Sequence, residues 1–502
     1  MVARQKNILI YIHGMLPLPG EIATGNGIRA QGLAEGLKTK GHNVHYCTRE
    51  DFVTRNFKSS NIKNFHVFRD KKEFMKTIEL VKPVIVIFEQ GDGLEYIDSS
   101  IDIPIVADLF APRILESLFL DSKIYRDKIL NQMLQFRKVD FFLCSTERQK
   151  YVLASILFLL GFYNKKLPIG VVPISTSPIL PYRSFVRKFK DLTFVYGGVF
   201  WPWQNPVKCL AHLLKTLEKY EKVRLVIFGG EYKYKLDNFK YKNSVKEFSN
   251  SSKLIFKKMI PYDKLLHFYR QSHIAFDIME RNIEREVSFS FRVIDYLQCG
   301  LPVLTANYSE LSKDIDIYKA GWVVDDAKPE KVKNILEKIL SNPGILEIYS
   351  DNAIKLIEDK YTWDKTIKPL EDFCKKPNKN NILQDFFNLS QKTIKKQEKD
   401  LVETRQEVEK LEFKISEYQK LLNSTQTYAA KLEKEKKTLY DEFLVKSKGF
   451  EERTLWLESS QKTIKKQEKD LVRFEQEIGR IKSTKWYKLY EKVSSISKKK
   501  KT

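Results

Sequence analysis

Short apolar runs alternate with segments of helix length up to about residue 374, and this alternation constrains the fold more than any other feature. Runs of this length followed by helix-length segments predict parallel strands connected by helices. The alternating apolar runs and helix-length segments fall into two series along the chain. These series predict two Rossmann-like α/β domains, residues 1–185 and 186–374, facing each other across a cleft. Open sheets of this kind bind ligands at the carboxyl ends of their strands. The predicted strands are Ile8–Ile12, Asn43–Cys47, Pro83–Phe88, Ile105–Asp108, Phe141–Ser145 and Gly170–Pro173, then Leu192–Tyr196, Arg224–Phe228, Leu254–Phe256, His273–Asp277 and Pro302–Thr305.

The chain changes character after Pro377, its last proline. Residues 375–389 predict a polar linker, whereas residues 390–481 carry an apolar residue at almost every seventh position from Ile394. A stretch of this region, S-Q-K-T-I-K-K-Q-E-K-D-L-V, occurs twice with an offset of 70 residues, which preserves the seven-residue register. The spacing predicts a long α-helical coiled coil that joins copies of the chain into a homo-oligomer. Polar residues at many companion positions leave a solitary charged helix or a disordered tail as the alternatives.

Residues 482–502 form a basic tail with aromatic residues. Helical spacing places Trp486, Leu489 and Tyr490 on one stripe with lysines opposite, and Lys498–Lys501 follow. Such an amphipathic helix with a polybasic end binds anionic membrane surfaces. We therefore expect a cytoplasmic protein that is peripheral on the inner face of the membrane. A cap that ends the coiled coil is the alternative.

The formal net charge of +24 also favours an anionic partner. No zinc-finger, RNA-recognition or helix-turn-helix pattern accompanies the charge, so we expect no nucleic-acid partner. The five cysteines are far apart and odd in number, which predicts free thiols in a reducing compartment. The apolar run that begins at Asn7 is too short for a signal peptide and predicts the first strand instead.

The most apolar window of the chain is Tyr151–Phe162. Its length of about twelve residues is too short to span a bilayer. We expect a buried helix there. A helix that dips into the membrane surface is the alternative.

The segment Glu284–Leu304 combines charged residues with an apolar helix and a following strand. Gly300 suits the left-handed position that ends a helix. Arg292, together with the carboxylates Glu284 and Asp295, enters that helix, and groups of this kind hold a diphosphate and ribose hydroxyls. On spacing alone, an amphipathic helix with a polar first turn explains the segment equally well.

This segment resembles the C-terminal signature of retaining glycosyltransferases of family 4, bacterial surface-polysaccharide type. The signature reads acid, S-F-R-x-R, two apolar residues, D-Y-L, two residues and G-L-P-V. Ser290 stands where these relatives carry their first arginine, which removes one cation from the expected anion site. The resemblance covers roughly residues 5–374 and implies a GT-B fold. The matching residues are Glu284, Ser288, Phe289, Arg292, Asp295, Tyr296, Gly300 and Pro302.

Two motifs in the first half are also similar to this family. Gly25 and Gly27 begin a G-x-G-I-R motif after the first strand, where glycine allows close backbone approach and a helix N-terminus favours phosphate. A tight strand-to-helix turn needs glycine in any case. Asp108 begins D-L-F-A-P, similar to the family's D-L-Y-x-P, whose acid lies near the acceptor. We expect an exposed Asp108 that orients an acceptor hydroxyl or takes its proton. A helix cap is the alternative.

In the second half, Gly197 and Gly198 precede Trp201 in a loop similar to the family's G-G-x-W-x-W. Their N–H groups are expected to bind diphosphate, and the tryptophan is expected to stack on a sugar or base. For the tryptophan, a hydrophobic anchor of the loop is the alternative. The expected catalytic residues are Asp108, Arg292 and Glu284. The expected donor-binding residues are Gly25, Gly27, Gly197, Gly198, Trp201, Lys208, Glu286 and Asp295. Further cleft candidates, with structural roles expected, are His13 and Glu147.

The resemblance implies a retaining, metal-independent glycosyltransferase that uses a nucleotide-diphospho-sugar as substrate and needs no cofactor. The implied acceptor is a lipid-linked or cell-surface glycan. The alternative, motivated by Ser290, is a head that binds a nucleotide sugar without turnover and sits on a coiled-coil scaffold that organises a glycan assembly complex.

Overall fold

The structure is a computed structural model. It describes residues 5–53, 62–97, 101–120, 123–162, 166–180, 191–229, 250–325, 329–380 and 382–423, with 441, 444–445, 449 and 452–455. The predicted membrane tail at residues 482–502 lies outside the described residues, as does most of the predicted coiled coil beyond Asn423.

The first sheet is wholly parallel, with strand order β3-β2-β1-β4-β5-β6-β7 in the described residues. Its strands β4 and β5 are buried at every residue because helices cover both faces, as expected for a doubly wound sheet. The strands are β1 (Asn7–Tyr11), β2 (Asn43–Arg49), β3 (Phe65–Phe68), β4 (Ile85–Glu89), β5 (Ile105–Asp108), β6 (Phe141–Cys144) and β7 (Ile169–Val171). The helices are α1 (Gly25–Thr39), α2 (Lys71–Val81), α3 (Arg113–Glu116), α4 (Lys123–Gln135) and α5 (Glu147–Leu159).

The second sheet is also parallel, with strand order β10-β9-β8-β11-β12-β13 in the described residues. The strands are β8 (Leu192–Gly197), β9 (Val223–Phe228), β10 (Leu254–Lys257), β11 (Ile274–Asp277), β12 (Val303–Ala306) and β13 (Gly321–Val324). The helices are α6 (Val207–Leu217), α7 (Tyr262–Gln271), α8 (Ile283–Val287), α9 (Phe291–Gln298), α10 (Glu310–Tyr318), α11 (Pro329–Ser341) and α12 (Ile345–Lys360). Gly300, just after α9, has φ +62°, which confirms the predicted left-handed helix end.

The predicted strands are all present, with ends displaced by a residue or two. The sequence missed β3 and β13, which lie at sheet edges. Both strands are four residues long and only partly buried, so neither gives a continuous apolar run. β13 also begins with Gly321, where a Cβ would lie 2.1 Å from the Val303 carbonyl oxygen. Glycine is depleted in strands, and here the close approach of β12 requires it.

Each sheet has a point where the chain reverses its direction of growth, between β1 and β4 in the first and between β8 and β11 in the second. At such a switch point the connections leave toward opposite faces, which opens a crevice at the carboxyl ends of the two strands. The candidate site residues are therefore expected beside the ends of these four strands.

The chain returns to the first sheet after α12. Two short helices, α13 (Trp363–Thr366) and α14 (Lys368–Lys375), pack against the first domain although the sequence assigned them to the second. The Phe373 ring stacks on Phe141 of β6 with centroids 4.5 Å apart and planes 7° apart. Gly36 of α1 allows the approach, since a Cβ there would lie 2.9 Å from Ile367. Apolar contacts distant in sequence decide this placement, and no local pattern indicates it.

The helix α5 is only partly buried, so the expectation of a buried helix at Tyr151–Phe162 is wrong in part. Leu153 and Leu157 face the core, whereas Tyr151, Phe158 and Leu159 are exposed. A helix packed on one face of a sheet buries only one of its own faces, and this one has apolar residues all round.

The last long helix, α15 (Ile382–Asn423), begins inside the predicted linker. The Ile382 N–H donates to Asn380 Oδ1 at 2.9 Å, and no proline or glycine follows until Gly449. The first compact unit, which holds both sheets, ends at Ile382, and the helix from Leu383 belongs to a second unit. This confirms a helix in the first part of the heptad region. The pairing of such helices in a coiled coil stays a prediction.

All five cysteines are free, which confirms the expectation of free thiols. Four of them are buried. Among the described residues, no helix is both long enough and apolar enough to cross a membrane.

We predict that Phe373→Ala lowers the free energy of unfolding by about 3 kcal/mol, because it removes a buried ring that ties α14 to the first sheet. Denaturant unfolding of the full chain measures the change. Ile317→Ala, at a side chain that is 71% exposed, is the matched control and should change the free energy of unfolding by less than about 0.5 kcal/mol. Equal, small effects of the two substitutions would show that α14 does not stabilise the first domain.

Candidate functional site

Arg292 lies at the switch point of the second sheet. Its Nε donates to Asp277 Oδ1 at the end of β11 (3.1 Å), and its Nη1 donates to Tyr196 Oη on β8 (2.8 Å). Its Nη2 donates to Gln204 Oε1 in the loop after β8 (3.0 Å). Burial opposes the charged form of Arg292, but the neighbouring Tyr196 and Asp277 raise the pKa of its guanidinium above its ordinary value. A fixed cation therefore stands where an open α/β sheet binds its ligand.

Gly198 makes room for this guanidinium. It has φ +139°, and a Cβ there would lie 2.5 Å from Arg292 Nη1. The N–H groups of Gly197 and Gly198 already donate within the fold, to Tyr296 Oη (3.0 Å) and to the Phe228 carbonyl oxygen (2.8 Å). The expectation that these two N–H groups bind diphosphate is therefore wrong. The two glycines permit close packing, and the positive charge beside them comes from Arg292.

Ser290 is the N-cap of α9. Its Oγ accepts from the Val293 N–H (3.4 Å) and donates to Asp277 Oδ2 (3.2 Å). The residue that replaces the expected first arginine thus caps the helix and holds the aspartate that pairs with Arg292. Because the helix begins at Phe291, Arg292 lies in its first turn and not ahead of it.

Asp295 lies one turn further along α9. Its Oδ1 accepts from Tyr262 Oη (2.6 Å) and from Gln298 Nε2 (2.9 Å). Burial raises the pKa of the Asp295 carboxyl to about 7, against those hydrogen bonds and the charge of Arg292. Tyr262 opens α7, and its N–H donates to the Glu21 carbonyl oxygen of the first domain (2.9 Å). A loop of one domain therefore positions a donor-site candidate of the other.

Glu284, an expected catalytic residue, is buried in an ion pair. Both of its oxygens accept from Arg285, at 2.5 Å from Nε and 2.6 Å from Nη2, and Oε1 also accepts from Ser288 Oγ. Only 1% of the residue is exposed. The structure places this carboxylate in the packing of α8 and not on the surface of the cleft.

Asp108, the other expected carboxylate, is fully buried, so the expectation of an exposed cleft aspartate is wrong. Its two oxygens accept from Arg29 Nη2 (2.9 Å) and Nε (2.8 Å). Arg29 comes from the G-x-G-I-R motif at the start of α1, and its Nη1 donates to the Pro173 carbonyl oxygen (2.9 Å). The motif thus supplies the counter-ion of a buried acid, a role that the spacing of either motif alone does not indicate.

The predicted glycines of the first domain also have packing roles. A Cβ at Gly27 would lie 1.8 Å from the Met15 carbonyl oxygen, and its N–H donates to Thr24 Oγ1 (3.3 Å), the N-cap of α1. Gly25 faces the ring of Phe291 from the second domain, which would lie 3.5 Å from a Cβ.

The three remaining donor candidates are Trp201 in the loop after β8, Lys208 on α6 and Glu286 on α8. Trp201 stacks on Trp203 with centroids 5.2 Å apart and planes 8° apart. The exposed Lys208 pairs with Glu280 (2.6 Å), and the half-buried Glu286 pairs with Arg281 (2.8 Å).

Hydrogen bonds from the start of α5 hold α8 across the cleft. Thr146 Oγ1 donates to the Val287 carbonyl oxygen (2.8 Å), and Arg148 Nη1 donates to the carbonyl oxygens of Glu286 (2.9 Å) and Tyr308. The N–H of Glu147, a cleft candidate, donates to Glu310 of the second domain (3.2 Å). The two domains are therefore joined at the helix that carries Glu284 and Glu286.

The switch point of the first sheet holds a second polar cluster. Asp92, in the loop after β4, accepts from Arg113 Nη1 (2.9 Å) and Nη2 (2.7 Å), and its Oδ2 lies 4.0 Å from His13 Nδ1. Burial opposes ionisation of Asp92, but Arg113 outweighs it and lowers the pKa to about 2. Burial lowers the pKa of His13 to about 4, so its imidazole is neutral at pH 7. Sequence reasoning singled out only His13 from this cluster.

Glu116 connects the two clusters. It is buried on α3, and burial together with the nearby Glu284 carboxylate raises its pKa to about 7. Arg113 and Arg285 favour its ionised form but do not outweigh the burial. Charged groups therefore continue from Asp92 across the cleft toward Arg292.

Sequence reasoning missed three residues that hold Arg292, namely Tyr196, Gln204 and Asp277. A signal existed for Asp277, the polar residue that ends a predicted buried strand. No local pattern predicts the role of Gln204. It lies in the loop after β8, and its side chain contacts Arg292 on α9.

We predict that Asp108→Ala lowers the free energy of unfolding by about 3–5 kcal/mol, because it leaves the Arg29 guanidinium buried without its counter-ion. The double substitution Arg29→Met with Asp108→Leu removes both charges and should recover most of the loss. Urea unfolding measures both variants. An Asp108→Ala chain as stable as the unchanged one would show that the ion pair does not stabilise the fold, and Asp108 would again be a candidate for contact with the substrate.

We predict that Glu116 makes the folded chain less stable as the pH rises from about 5 to about 8. Its pKa is about 7 in the fold and about 4.3 in an unfolded chain, so in that range the folded state retains a proton that the unfolded state has released. The free energy of unfolding should fall by about 2–3 kcal/mol from this group.

Glu116→Gln should remove that part of the pH dependence in urea unfolding measured at several pH values. Glu330→Gln, at an exposed position, is the control and should leave the dependence unchanged. If the free energy of unfolding of Glu116→Gln depends on pH as that of the unchanged chain does, the pKa of the Glu116 carboxyl is not raised in the fold.

Comparisons with known proteins agree with this geometry. Residues 183–356 match the family described as Glycosyl transferases group 1. An uncharacterized glycosyltransferase of Methanocaldococcus jannaschii is 23% identical over 263 residues, which cover 51% of this chain and 63% of that protein. The chain thus matches less than two thirds of that relative's length.

Solved structures show the same fold. Sucrose-phosphate synthase from Thermosynechococcus elongatus has a TM-score of 0.57 at 14% identity, covering 74% of this chain and 98% of that one. The Anabaena protein HepE in complex with UDP and glucose has a TM-score of 0.54 at 11% identity, covering 74% and 100%. Residues 183–356 therefore resemble a glycosyltransferase group 1 domain, and the two parallel-sheet α/β domains have the GT-B type of fold seen in these structures.

Proposed function

We propose that this protein is a retaining glycosyltransferase that moves a sugar from a nucleotide-diphospho-sugar to a lipid-linked or cell-surface polysaccharide acceptor. The observation that carries the proposal is the Arg292 guanidinium, fixed by Asp277, Tyr196 and Gln204 at the switch point of the group 1 domain. Transfer from such a donor develops negative charge on the leaving diphosphate, and a fixed cation stabilises that charge without reorganisation.

The remaining donor contacts follow from the same helix. The Asp295 carboxyl, one turn from Arg292, is a suitable partner for ribose or sugar hydroxyls because Tyr262 and Gln298 bond only its Oδ1 within the described residues. Trp201 offers an aromatic face beside the loop that carries Gln204. UDP is the first nucleotide to test, since a structural neighbour is bound to UDP and glucose.

Retention of configuration follows if the acceptor hydroxyl attacks from the face that the diphosphate leaves. The acceptor oxygen forms the new bond to the anomeric carbon, the bond to the phosphate oxygen breaks, and the hydroxyl proton passes to that oxygen. This route needs no protein base. A route without a protein base is consistent with this cleft, because Asp108 is paired with Arg29 and Glu284 is paired with Arg285.

The C-terminal region would bring this activity to a surface. We propose that the heptad region forms a homo-oligomer and that the basic tail binds anionic lipid, which places the enzyme on the inner face of the membrane. Both proposals rest on the sequence. The match to a glycosyltransferase domain does not favour the alternative of a head that binds without turnover.

We predict that Arg292→Ala abolishes transfer and weakens nucleoside diphosphate binding about 100-fold, the effect of losing a charge-assisted contact worth a few kcal/mol. Release of nucleoside diphosphate from a panel of sugar donors measures turnover. Arg224→Ala is the matched control, because this exposed arginine on β9 pairs with Asp191 away from the switch point.

The control variant should keep full activity. Full turnover in Arg292→Ala, with the fold intact by circular dichroism, would remove Arg292 from the mechanism. Equal loss in both variants would indicate a general effect of arginine removal on the domain.

We predict that turnover survives a chelator, because Arg292 supplies the positive charge that a divalent ion supplies in metal-dependent transferases. The assay compares initial rates in EDTA and in added magnesium or manganese. Loss of turnover in EDTA that either metal restores would contradict the expectation.

A further inference from the structure

The first domain exposes an unusual set of large apolar side chains on α4 and α5. Ile124 is 84% exposed and Leu159 is 79% exposed. We call the exposed faces of these two helices the apolar–basic surface. Its apolar members are Ile124, Leu130, Leu134, Tyr151, Phe158 and Leu159.

The two helices lie side by side. The first connects β5 to β6 and the second connects β6 to β7, which are neighbouring parallel strands. Connections of this kind are right-handed, so both helices cover the same face of the sheet. A hydrogen bond from Arg137 Nε to the Leu160 carbonyl oxygen (3.2 Å) joins their C-terminal ends. The exposed apolar residues therefore lie on two neighbouring helices that cover the same face of the sheet.

Basic residues accompany the apolar ones. On α4, Lys123, Arg126 and Lys128 are exposed, against a single acidic residue, Asp127. The one acidic residue on α5, Glu147, already pairs with Lys150 (3.1 Å). The surface thus carries a net positive charge together with side chains that are costly to leave in water.

We propose that the apolar–basic surface of the first domain binds an anionic lipid membrane directly, as a second contact independent of the C-terminal tail. Lysine and arginine approach anionic headgroups while phenylalanine, leucine and isoleucine enter the boundary between headgroups and acyl chains. A protein partner would need acidic groups matched to these positions, whereas a bilayer supplies negative charge and an apolar layer together.

This contact would set the position of the catalytic domain. In the sequence the tail is separated from the head by a long heptad region, whereas the apolar–basic surface is part of the first domain itself. A surface on the head brings the first domain, the expected acceptor side, to the membrane. Two linked contacts also bind far more tightly than either alone. The inference does not depend on the proposed transfer reaction, since lipid binding is measured without a donor.

Hydrogen exchange of the full chain with phosphatidylglycerol vesicles tests the proposal, because it reports each region separately. Peptides covering residues 123–135 and 150–160 should become protected, and phosphatidylcholine vesicles should give no protection. Phe158→Ser with Leu159→Ser should remove the protection at these peptides and weaken vesicle binding at least about ten-fold. Lys123→Glu with Lys128→Glu should weaken it about ten-fold or more at low salt.

The matched control is Ile317→Ser with Ile348→Ser, two exposed apolar residues on the second domain. It should bind vesicles within about two-fold of the unchanged chain. Absence of protection at α4 and α5 in the unchanged chain would overturn the proposal, even if the tail binds. Protection that rises with protein concentration without vesicles would also overturn it, since it would assign the surface to contact between copies of the chain.

Discussion

The Arg292 guanidinium is the group on which the donor half of the cleft depends. A buried cation must be paired and hydrogen-bonded, because an uncompensated charge costs several kcal/mol in the interior, about 3–5 when a partner is lost. Asp277 supplies the pairing charge, and Tyr196 and Gln204 supply further acceptors. Gly198 follows from the same requirement, since any side chain there would occupy the volume of the guanidinium. Ser290 follows as well, because it is short enough to cap α9 and still bond Asp277.

The two domains are connected through polar groups as well as apolar ones. The start of α5 holds α8 by hydrogen bonds to main-chain carbonyl oxygens, so this contact depends on backbone position more than on the side chains of α8. The carboxyls of Glu116 and Glu284 lie near each other at this boundary. Burial raises the pKa of the Glu116 carboxyl to about 7. A carboxyl with a raised pKa therefore lies at the boundary between the two domains. The hydrogen bond from the Tyr262 N–H to the Glu21 carbonyl oxygen is a second connection between the domains, and the Tyr262 hydroxyl in turn donates to Asp295.

The sequence predicted the central strands well because buried parallel strands give continuous apolar runs that no surface element imitates. The edge strands β3 and β13 gave no such run. The sequence singled out Arg292, Asp295 and the glycines as candidates through motifs that resemble a family signature, and the structure gives the glycines packing roles. The sequence did not identify the partners of these groups. Arg29 and Asp108 are 79 positions apart in the chain, so local pattern does not indicate the burial of Asp108. Glu284 pairs with the adjacent Arg285, but its burial depends on the packing of α8, which local pattern does not indicate either. The placement of α14 on the first domain has the same origin.

The chain combines a GT-B-like head, which carries the proposed donor site, with a helical extension of a different composition. The proposed transfer reaction requires that the Arg292 site binds a nucleoside diphosphate. Calorimetric titration of the intact chain with UDP, GDP, ADP and dTDP measures this directly. We expect at least one of them to bind with a Kd of about 1 μM to 1 mM, the range typical of enzyme substrates, and to lose that binding in Arg292→Ala. Failure of all four to bind a folded chain at millimolar concentration, or equal binding by the variant, would contradict the account.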